Sequence, residues 1–180
     1  MSKILGIDPS LTGTGYVVVS NGKLVLKELV KTKPTGDDRV AEVERLMTIR
    51  DSFSLEGIDL VVMEGIAFMA RNTTALVQLS ALNYMIRERL VMRDKPFVIV
   101  APTTLKKFIT GKGVGPKDQM MMEVYKRYGV TLTDNNICDA YGLAMIGTAL
   151  LDKKAKTTKF QKEVIDLLST QLKNEKHEEE

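Results

Sequence analysis

Three acidic residues lie in stretches that are otherwise apolar or made of small residues, which makes them the best candidates for chemistry. Asp8 ends the apolar run that begins at Lys3, Glu64 directly follows Val61-Val62-Met63, and Asp139 lies in Ile137-Cys138-Asp139-Ala140. A buried carboxylate is costly unless a positive charge meets it. Three acids at one place suit two-metal phosphodiester hydrolysis, in which divalent ions about 4 Å apart stabilise the attacking and leaving oxygens.

Each acid also has a purely structural explanation. Asp8 could hydrogen-bond to the backbone of its own turn, Glu64 could be a surface residue at a strand end, and Asp139 could be a negative charge favoured near a helix N-terminus. Taken singly, these explanations stay open. The three acids together, in this order, favour the metal site.

The composition restricts which metal such a site could hold. The 180 residues include one cysteine, Cys138, and one histidine, His177, which lies in an acidic tail. One cysteine excludes a disulfide framework and cysteine-rich zinc sites, and the lone histidine argues against histidine-based metal binding. Oxygen ligands select Mg²⁺, with Mn²⁺ as a substitute.

The same composition bears on partners and location. The apolar fraction is 44% and the formal net charge is +3, and no apolar run approaches the roughly 18 residues of a membrane span. The N-terminus shows no secretion pattern. We therefore expect no membrane partner and a cytoplasmic location.

The predicted strands would bring the acids to one edge of a sheet. Strands are expected at Lys3–Asp8, Tyr16–Ser20, Lys23–Leu29, Ile58–Met63 and Phe97–Ala101. Asn21-Gly22 between alternating apolar residues predicts a tight hairpin, and the last two runs have the continuous apolar character of strands buried on both faces.

Helical spacing of apolar residues predicts the elements around this sheet. One helix would contain Val40, Val43, Leu46 and Met47 at helical spacing. A second would run from Thr74 to Val91 with Ala75, Leu79, Leu82 and Ile86 on one face. A third contains Met120, Val124 and Tyr128, and a fourth runs from near Asp134 to Leu150. Pro102 to Pro116 is expected to be a loop. The predicted fold is α/β, a mixed five-stranded sheet with helices on both faces.

The end of the chain is expected to lie outside this domain. We place a nuclease domain at 1–152 and a helical, partly disordered tail at 153–180. One amphipathic helix in the tail would contain Phe160, Val164, Leu167 and Leu168.

A lysine-rich segment alternates with glycines after the last strand. It contains Lys106, Lys107, Lys112 and Lys117, with Gly111, Gly113 and Gly115 between them. A solvated flexible loop would have this composition. Beside an acidic metal site, however, lysines that neutralise phosphates and glycines that let backbone amides approach them favour a polyanionic substrate. Phe68, close after Glu64, is either a core residue or an apolar wedge of the kind that unstacks bases.

Four motifs in order resemble the RuvC family of Holliday junction resolvases, over residues 3 to about 150. They are Gly6-Ile7-Asp8-Pro9-Ser10 with Thr12-Gly13 and Gly15-Tyr16; Glu64 after a buried strand; Ala101-Pro102-Thr103-Thr104-Leu105-Lys106-Lys107 with Thr110-Gly111-Lys112-Gly113 and Lys117; and Asp139-Ala140 with Leu143-Ala144. The resemblance implies a ribonuclease-H-like fold, a homodimer, magnesium dependence and symmetric nicking of four-way DNA junctions.

The resemblance also implies roles for single residues. Lys106 and Lys117 match positions that contact DNA near the catalytic centre, and Phe68, beside Arg71, matches the aromatic that wedges into the junction. Arg71, Lys107 and Lys112 join them as predicted DNA contacts. The departures from the bacterial pattern favour a phage or virus-type member.

One departure concerns the metal site itself. Bacterial members typically have two acids three residues apart on the last helix, whereas the earlier position here is Asn136. Asparagine coordinates through a neutral carbonyl oxygen, so the second metal should bind more weakly. Asp134 either replaces the missing acid or caps that helix.

Two other functions compete with the nuclease. The chain could be a branched-DNA-binding protein with weak or absent cleavage. An actin-like ATPase would pair a similar strand-end Asp with small residues, but that class needs two such domains, more than 180 residues can supply. We therefore predict no nucleotide cofactor.

Overall fold

A five-stranded mixed sheet forms the centre of the molecule. The computed structural model describes residues 2–66, 73–115, 117–152 and 154–174. Its strands are β1 (Lys3–Asp8), β2 (Gly13–Ser20), β3 (Lys23–Lys31), β4 (Leu60–Glu64) and β5 (Phe97–Val100), in the spatial order β3-β2-β1-β4-β5. β1 pairs antiparallel with β2 and parallel with β4, which pairs parallel with β5.

The described residues include six helices, which cover both faces of the sheet. They are α1 (Arg39–Asp51), α2 (Thr73–Met92), α3 (Pro102–Thr110), α4 (Lys117–Tyr128), α5 (Asn135–Leu151) and α6 (Lys159–Asn174). Buried side chains of α1 and α2 pack on one face and those of α3, α4, α5 and α6 on the other. The predicted fold class is confirmed. Among the described residues, no helix is long and apolar enough to cross a membrane.

Most strand predictions are confirmed, with shifted ends. Asn21 and Gly22 have φ of 50° and 76°, the left-handed conformations that a tight two-residue hairpin requires. β2 starts three residues earlier than predicted because Gly13, Thr14 and Gly15 pair with the end of β3.

The first predicted helix is confirmed as α1, although most of its apolar residues are not buried, and the predicted loop from Pro102 is wrong. On α1, Val40, Val43 and Met47 are exposed, and the buried residues are Arg45, Leu46 and Ile49. The segment from Pro102 is not a loop up to Pro116, because α3 occupies its first nine residues. Proline at the first helical position is favourable, since its fixed φ suits a helix and the missing N–H would have no helical acceptor.

Helix α6 packs onto the same core as the sheet. The predicted amphipathic helix is confirmed, and Val164 and Leu168 are buried, whereas Leu167 is exposed. Gln171 lies along the outer edge of β5, where its Oε1 accepts from the backbone N–H of Ile99 and its Nε2 donates to the carbonyl of Ile99, both at 3.0 Å. This side-chain amide therefore takes the place of a neighbouring strand.

Candidate active site

Asp8 and Glu64 are brought together by the pairing of two parallel strands. Ile7 lies opposite Met63 in the register of β1 and β4, so the next residue of each strand, Asp8 and Glu64, reaches the same sheet edge. Asp8 is only 7% exposed, and the two carboxyl groups share a hydrogen bond. The predicted juxtaposition of these two acids is confirmed.

Helix α5 adds the third acid by crossing unusually close to the sheet. A Cβ atom at Gly6 would overlap the carbonyl oxygen of Ala140 and lie 2.7 Å from the nitrogen of Ala144, and one at Gly15 would overlap the carbonyl of Asn136. Both strand positions therefore need glycine, because the backbone of the strand is in direct contact with the backbone of α5 there. This approach puts Asp139 near enough to Asp8 and Glu64 to raise the pKa of both.

The electrostatics of this cluster favour binding of a cation. Burial, then the neighbouring Glu64 and Asp139, raise the pKa of Asp8 well above its usual range. Burial and Asp139 raise the pKa of Glu64 to about 7, against the opposing effects of its hydrogen bond with Asp8 and of Lys106. Carboxyl groups so placed are not all ionised at low cost. Either one of them keeps its proton or a metal ion between them balances the negative charges.

The donor set fits a hard divalent cation. It consists of carboxylate oxygens, the ligands that Mg²⁺ and Mn²⁺ prefer. Among the described residues, no group of three or more His, Cys, Asp or Glu side chains is already arranged so that it could hold a metal ion. Asp8 and Glu64 are thus the preassembled pair, and Asp139 is the nearby third acid.

Asn136 and Asp134 have clear structural roles at the start of α5. Asp134 is the N-cap, and its carboxylate accepts from the backbone N–H groups of Asn136 and Ile137 at 2.9 and 3.1 Å. The capping alternative for Asp134 is confirmed. Asn136 donates from Nδ2 to the carbonyl of Gly13 at 2.5 Å, so its amide ties α5 to the beginning of β2.

Buried polar residues that the sequence did not reveal hold the turn after Asp8. The Thr14 hydroxyl is completely buried, accepts from the Ser10 N–H at 3.0 Å and donates to the Ser10 carbonyl at 2.6 Å. Arg45 of α1 donates to the carbonyl of Leu11 and, at 3.0 Å, to the hydroxyl of Thr32. A cationic side chain from α1 thus fixes the loop that follows the first catalytic candidate.

Asn83 supports Glu64 in a similar way. It is 2% exposed, and its Nδ2 donates to the backbone carbonyl of Glu64 at 3.2 Å. A signal was present in the sequence, since Asn83 interrupts the apolar run of α2 next to Leu82.

The lysine-rich segment begins on α3 and its members point in different directions. Lys106 lies close enough to Glu64 to lower the pKa of that carboxyl. Lys107 faces the other way and forms an ion pair with Glu163 of α6 at 2.9 Å. Lys112 is exposed in the loop, and Gly113 of that loop folds back beside Thr103 at the start of α3.

Three predicted DNA contacts lie wholly or partly outside the described residues. Lys117 is the first residue of α4, but its side chain is outside the described part of the molecule. Phe68 and Arg71 lie outside the described residues altogether.

A mixed sheet with acidic residues at the ends of two neighbouring parallel strands, and a third on the helix that crosses them, defines the class of ribonuclease-H-like nucleases. Comparison with known proteins identifies the family. A family model described as "Crossover junction endodeoxyribonuclease RuvC" matches residues 4–147. This chain belongs to that family, and it is a structure-selective junction endodeoxyribonuclease.

Relatives agree with this assignment. RuvC of a Nitratiruptor species is 31% identical over 149 residues, covering 79% of this chain and 92% of that protein. RuvC of Campylobacter jejuni (serotype O:6) is also 31% identical, over 157 residues, covering 83% and 97%.

Two solved structures have the same fold. T. thermophilus RuvC in complex with a Holliday junction superposes with a TM-score of 0.66 at 20% identity, covering 81% of this chain and 92% of that one. The Fowlpox virus resolvase bound to Holliday junction DNA gives 0.54 at 14% identity, covering 82% and 99%.

Proposed function

We propose that this endonuclease binds four-way and other branched DNA and nicks phosphodiester bonds with Asp8, Glu64 and Asp139 as metal ligands. The supporting observation is the buried Asp8–Glu64 pair, with raised pKa values, beside Asp139. Mg²⁺ is the proposed cofactor and Mn²⁺ its substitute. Divalent ions held there would stabilise the attacking and leaving oxygens of the hydrolysis.

The chain's own residues position these groups and the substrate. The strand register holds Asp8 against Glu64, and the close crossing of α5 fixes the height of Asp139 above them. Lys106, next to Glu64, supplies a positive charge where the scissile phosphate must approach the carboxylates. We assign Lys112 and Lys117 to further phosphate contacts because they follow Lys106 in the same glycine-containing segment, and Phe68 and Arg71 to the junction contact because of their place shortly after Glu64.

Nicking of synthetic DNA tests this proposal. A labelled four-way junction and a linear duplex of the same sequence are incubated with the protein, with Mg²⁺, with Mn²⁺ and with neither. We expect metal-dependent nicking of the junction alone. Asp8→Asn, Glu64→Gln and Asp139→Asn should each abolish nicking and retain junction binding, because these residues serve the metal and not the DNA contact. Parental nicking rates in any of these variants would remove that residue from the ligand set.

A second function is favoured by one observation. Asn136 stands where a second acid of α5 would be expected, and its amide is used as a donor to Gly13. The protein could then recognise branched DNA while cleaving it weakly or not at all. Junction binding without nicking, even at high Mn²⁺, would favour this alternative.

We also propose that the protein is a homodimer that pairs through α2. The face of α2 that carries Leu82 and Ile86 is not available for pairing, because both residues are fully buried in the core. The opposite side of α2 carries a row of exposed residues with alternating spacings of three and four: Thr74, Val77, Ala81, Tyr84, Glu88 and Val91. This spacing is that of a helix–helix seam. Val77, Tyr84 and Val91 are each 63% exposed and lie on the same side of the helix, where they form an apolar row of the kind that marks an interaction surface.

The molecular mass in solution tests the pairing. Light scattering should give a dimer for the parental protein and a monomer for Tyr84→Glu. Leu167→Glu is the matched control, since Leu167 is 62% exposed but lies on α6. A Tyr84→Glu variant that remains dimeric would place the interface elsewhere.

Because branched DNA is the substrate, we propose that the protein acts in the cytoplasm, that of the host if a phage encodes it.

A further inference from the structure

Helix α6 lies beyond residues 4–147, which the family model matches, yet it makes specific contacts with the lysine-rich segment. The ring of Phe160 packs on Gly111, with ring carbons 3.3 to 3.5 Å from the place a Cβ would occupy. The guanidinium of Arg127 lies over the same ring, 5.1 Å from its centroid. Phe160 therefore contacts both the start of the loop at residues 111–115 and the end of α4.

Arg127 links the ends of α3 and α4. Its Nε donates to the carbonyl of Ile109 at 2.7 Å, which joins the end of α4 to the end of α3. The neighbouring Tyr128 accepts a hydrogen bond from Gln161 of α6 at 3.2 Å, and Gln161 is 6% exposed. The C-terminal ends of α3 and α4 are thus held together, and both are held against the start of α6.

After Gly111, the loop leads away from this junction of helices. Gly111 adopts a φ of +81° and ends α3, after which the chain turns back so that Gly113 lies beside Thr103. α4 has 12 residues, so it is about 18 Å long. A small rotation of α4 at its Arg127 end therefore moves its Lys117 end by several times as much.

We propose that α6 positions the DNA-binding loop at residues 111–115 and the start of α4 through Phe160, without itself contacting DNA. This inference rests on the proposed binding of branched DNA by that loop. Phe160 is a positioning residue: its contacts with Gly111 and Arg127 select one arrangement of the ends of α3 and α4, and with it one position of the loop between them. Without its ring, the binding-competent arrangement is populated only part of the time, and the apparent affinity falls by that fraction.

The first arm of the test needs no DNA. Hydrogen exchange is compared between the parental protein and Phe160→Ala. Exchange in residues 111–115 and in α4 should become at least about tenfold faster, whereas exchange in β1 and β4 stays at the parental rate. Leu167→Ala, an exposed change on the same helix, should leave both regions unchanged. Equal exchange in 111–115 for parental and Phe160→Ala proteins would overturn the proposal.

The second arm measures binding of a labelled four-way junction over a series of salt concentrations without divalent metal. Phe160→Ala should bind about tenfold more weakly, which corresponds to a loop that is competent about a tenth of the time, and with the parental salt slope, because the competent arrangement still neutralises the same phosphates. Phe160→Tyr, which keeps the ring over Arg127, should keep the parental affinity. Parental affinity in Phe160→Ala, or a loss of affinity that comes with a reduced salt slope, would refute the positioning role.

Two further outcomes keep the test decisive. If Phe160→Ala no longer melts cooperatively, Phe160→Leu is used instead, because it keeps an apolar side chain and loses the aromatic face; unchanged exchange and affinity there would also overturn the proposal. If the parental protein does not prefer junction to duplex, the proposed DNA function fails, while the exchange arm still decides whether α6 positions the loop.

Discussion

Replacement of Asn136 by aspartate tests the most unusual feature of the site. In the structure, Nδ2 of Asn136 donates to the carbonyl of Gly13. A carboxylate has the same shape but no proton to donate at neutral pH. Asn136→Asp therefore loses one hydrogen bond and leaves a carbonyl facing a negative charge, which costs about 1–3 kcal/mol. The new charge also joins Asp8, Glu64 and Asp139, which already oppose one another's ionisation.

Asn136→Asp should lower the melting temperature of the metal-free protein but increase the stabilisation that Mg²⁺ provides. In a protein of this size about 1 kcal/mol corresponds to roughly 2–4 °C in melting temperature, so the metal-free variant should melt about 2–12 °C below the parent. Mg²⁺ should raise the melting temperature of the variant more than that of the parent, because a fourth carboxylate strengthens binding of a second ion. Its nicking rate in Mg²⁺ should rise for the same reason.

Calorimetric melting at pH 8, with EDTA and with Mg²⁺, measures both effects. Asn135→Asp is the charge-matched control, because Asn135 is exposed in the same helical turn and an acid there is favoured by the helix dipole. A metal-free Asn136→Asp protein that melts at the parental temperature would show that the bond to Gly13 contributes nothing. An unchanged response to Mg²⁺ would show that position 136 does not face the metal.

Two more results are expected. Lys106→Ala should weaken junction binding and reduce its salt slope by about one unit, whereas Lys107→Ala should change the slope less because Glu163 already pairs with that lysine; equal slopes in the two variants would contradict this distinction. The metal-free protein should lose stability as pH rises from about 4.5 to about 7, because the folded state holds a proton on Glu64 more tightly than the unfolded state does. In melting curves recorded from pH 5 to 8, Glu64→Gln should flatten this dependence, and a parental slope in that variant would assign the effect to other groups.

Local sequence patterns were enough to predict the sheet and the pair of acids. Asp8 and Glu64 each follow a run of apolar residues, and parallel pairing of two such runs leaves little freedom in where their last residues lie. Likewise, Asn21-Gly22 defines its own turn. These features depend on residues that are neighbours in sequence, or on one strand pairing.

Features that depend on contacts between distant elements could not be predicted. Val40, Val43 and Met47 form an apolar row on α1, but the helix is oriented by the bonds of Arg45 to Leu11 and Thr32, so that row faces outward. A buried arginine that stabilises a turn on another element has no local signature.

The same limit applies to Asn136. Its chemistry suggested a neutral metal ligand, and only the packing of α5 on β2 shows that the amide donates to Gly13. The residue's position relative to Asp139 was predictable from helical spacing, whereas the partner of its amide was not.

The side-chain amide of Gln171 has a consequence for any shortened form of the chain. Removal of α6 would free the N–H and carbonyl of Ile99 on the outer edge of β5, next to the pairing of Val100 with Glu64. An uncovered strand edge is a template for pairing with another chain. Truncation after α5 should therefore produce strand-to-strand association between molecules, beginning one strand away from the acidic cluster. The last helix thus helps to keep the protein from self-association through this edge, in addition to any effect on DNA.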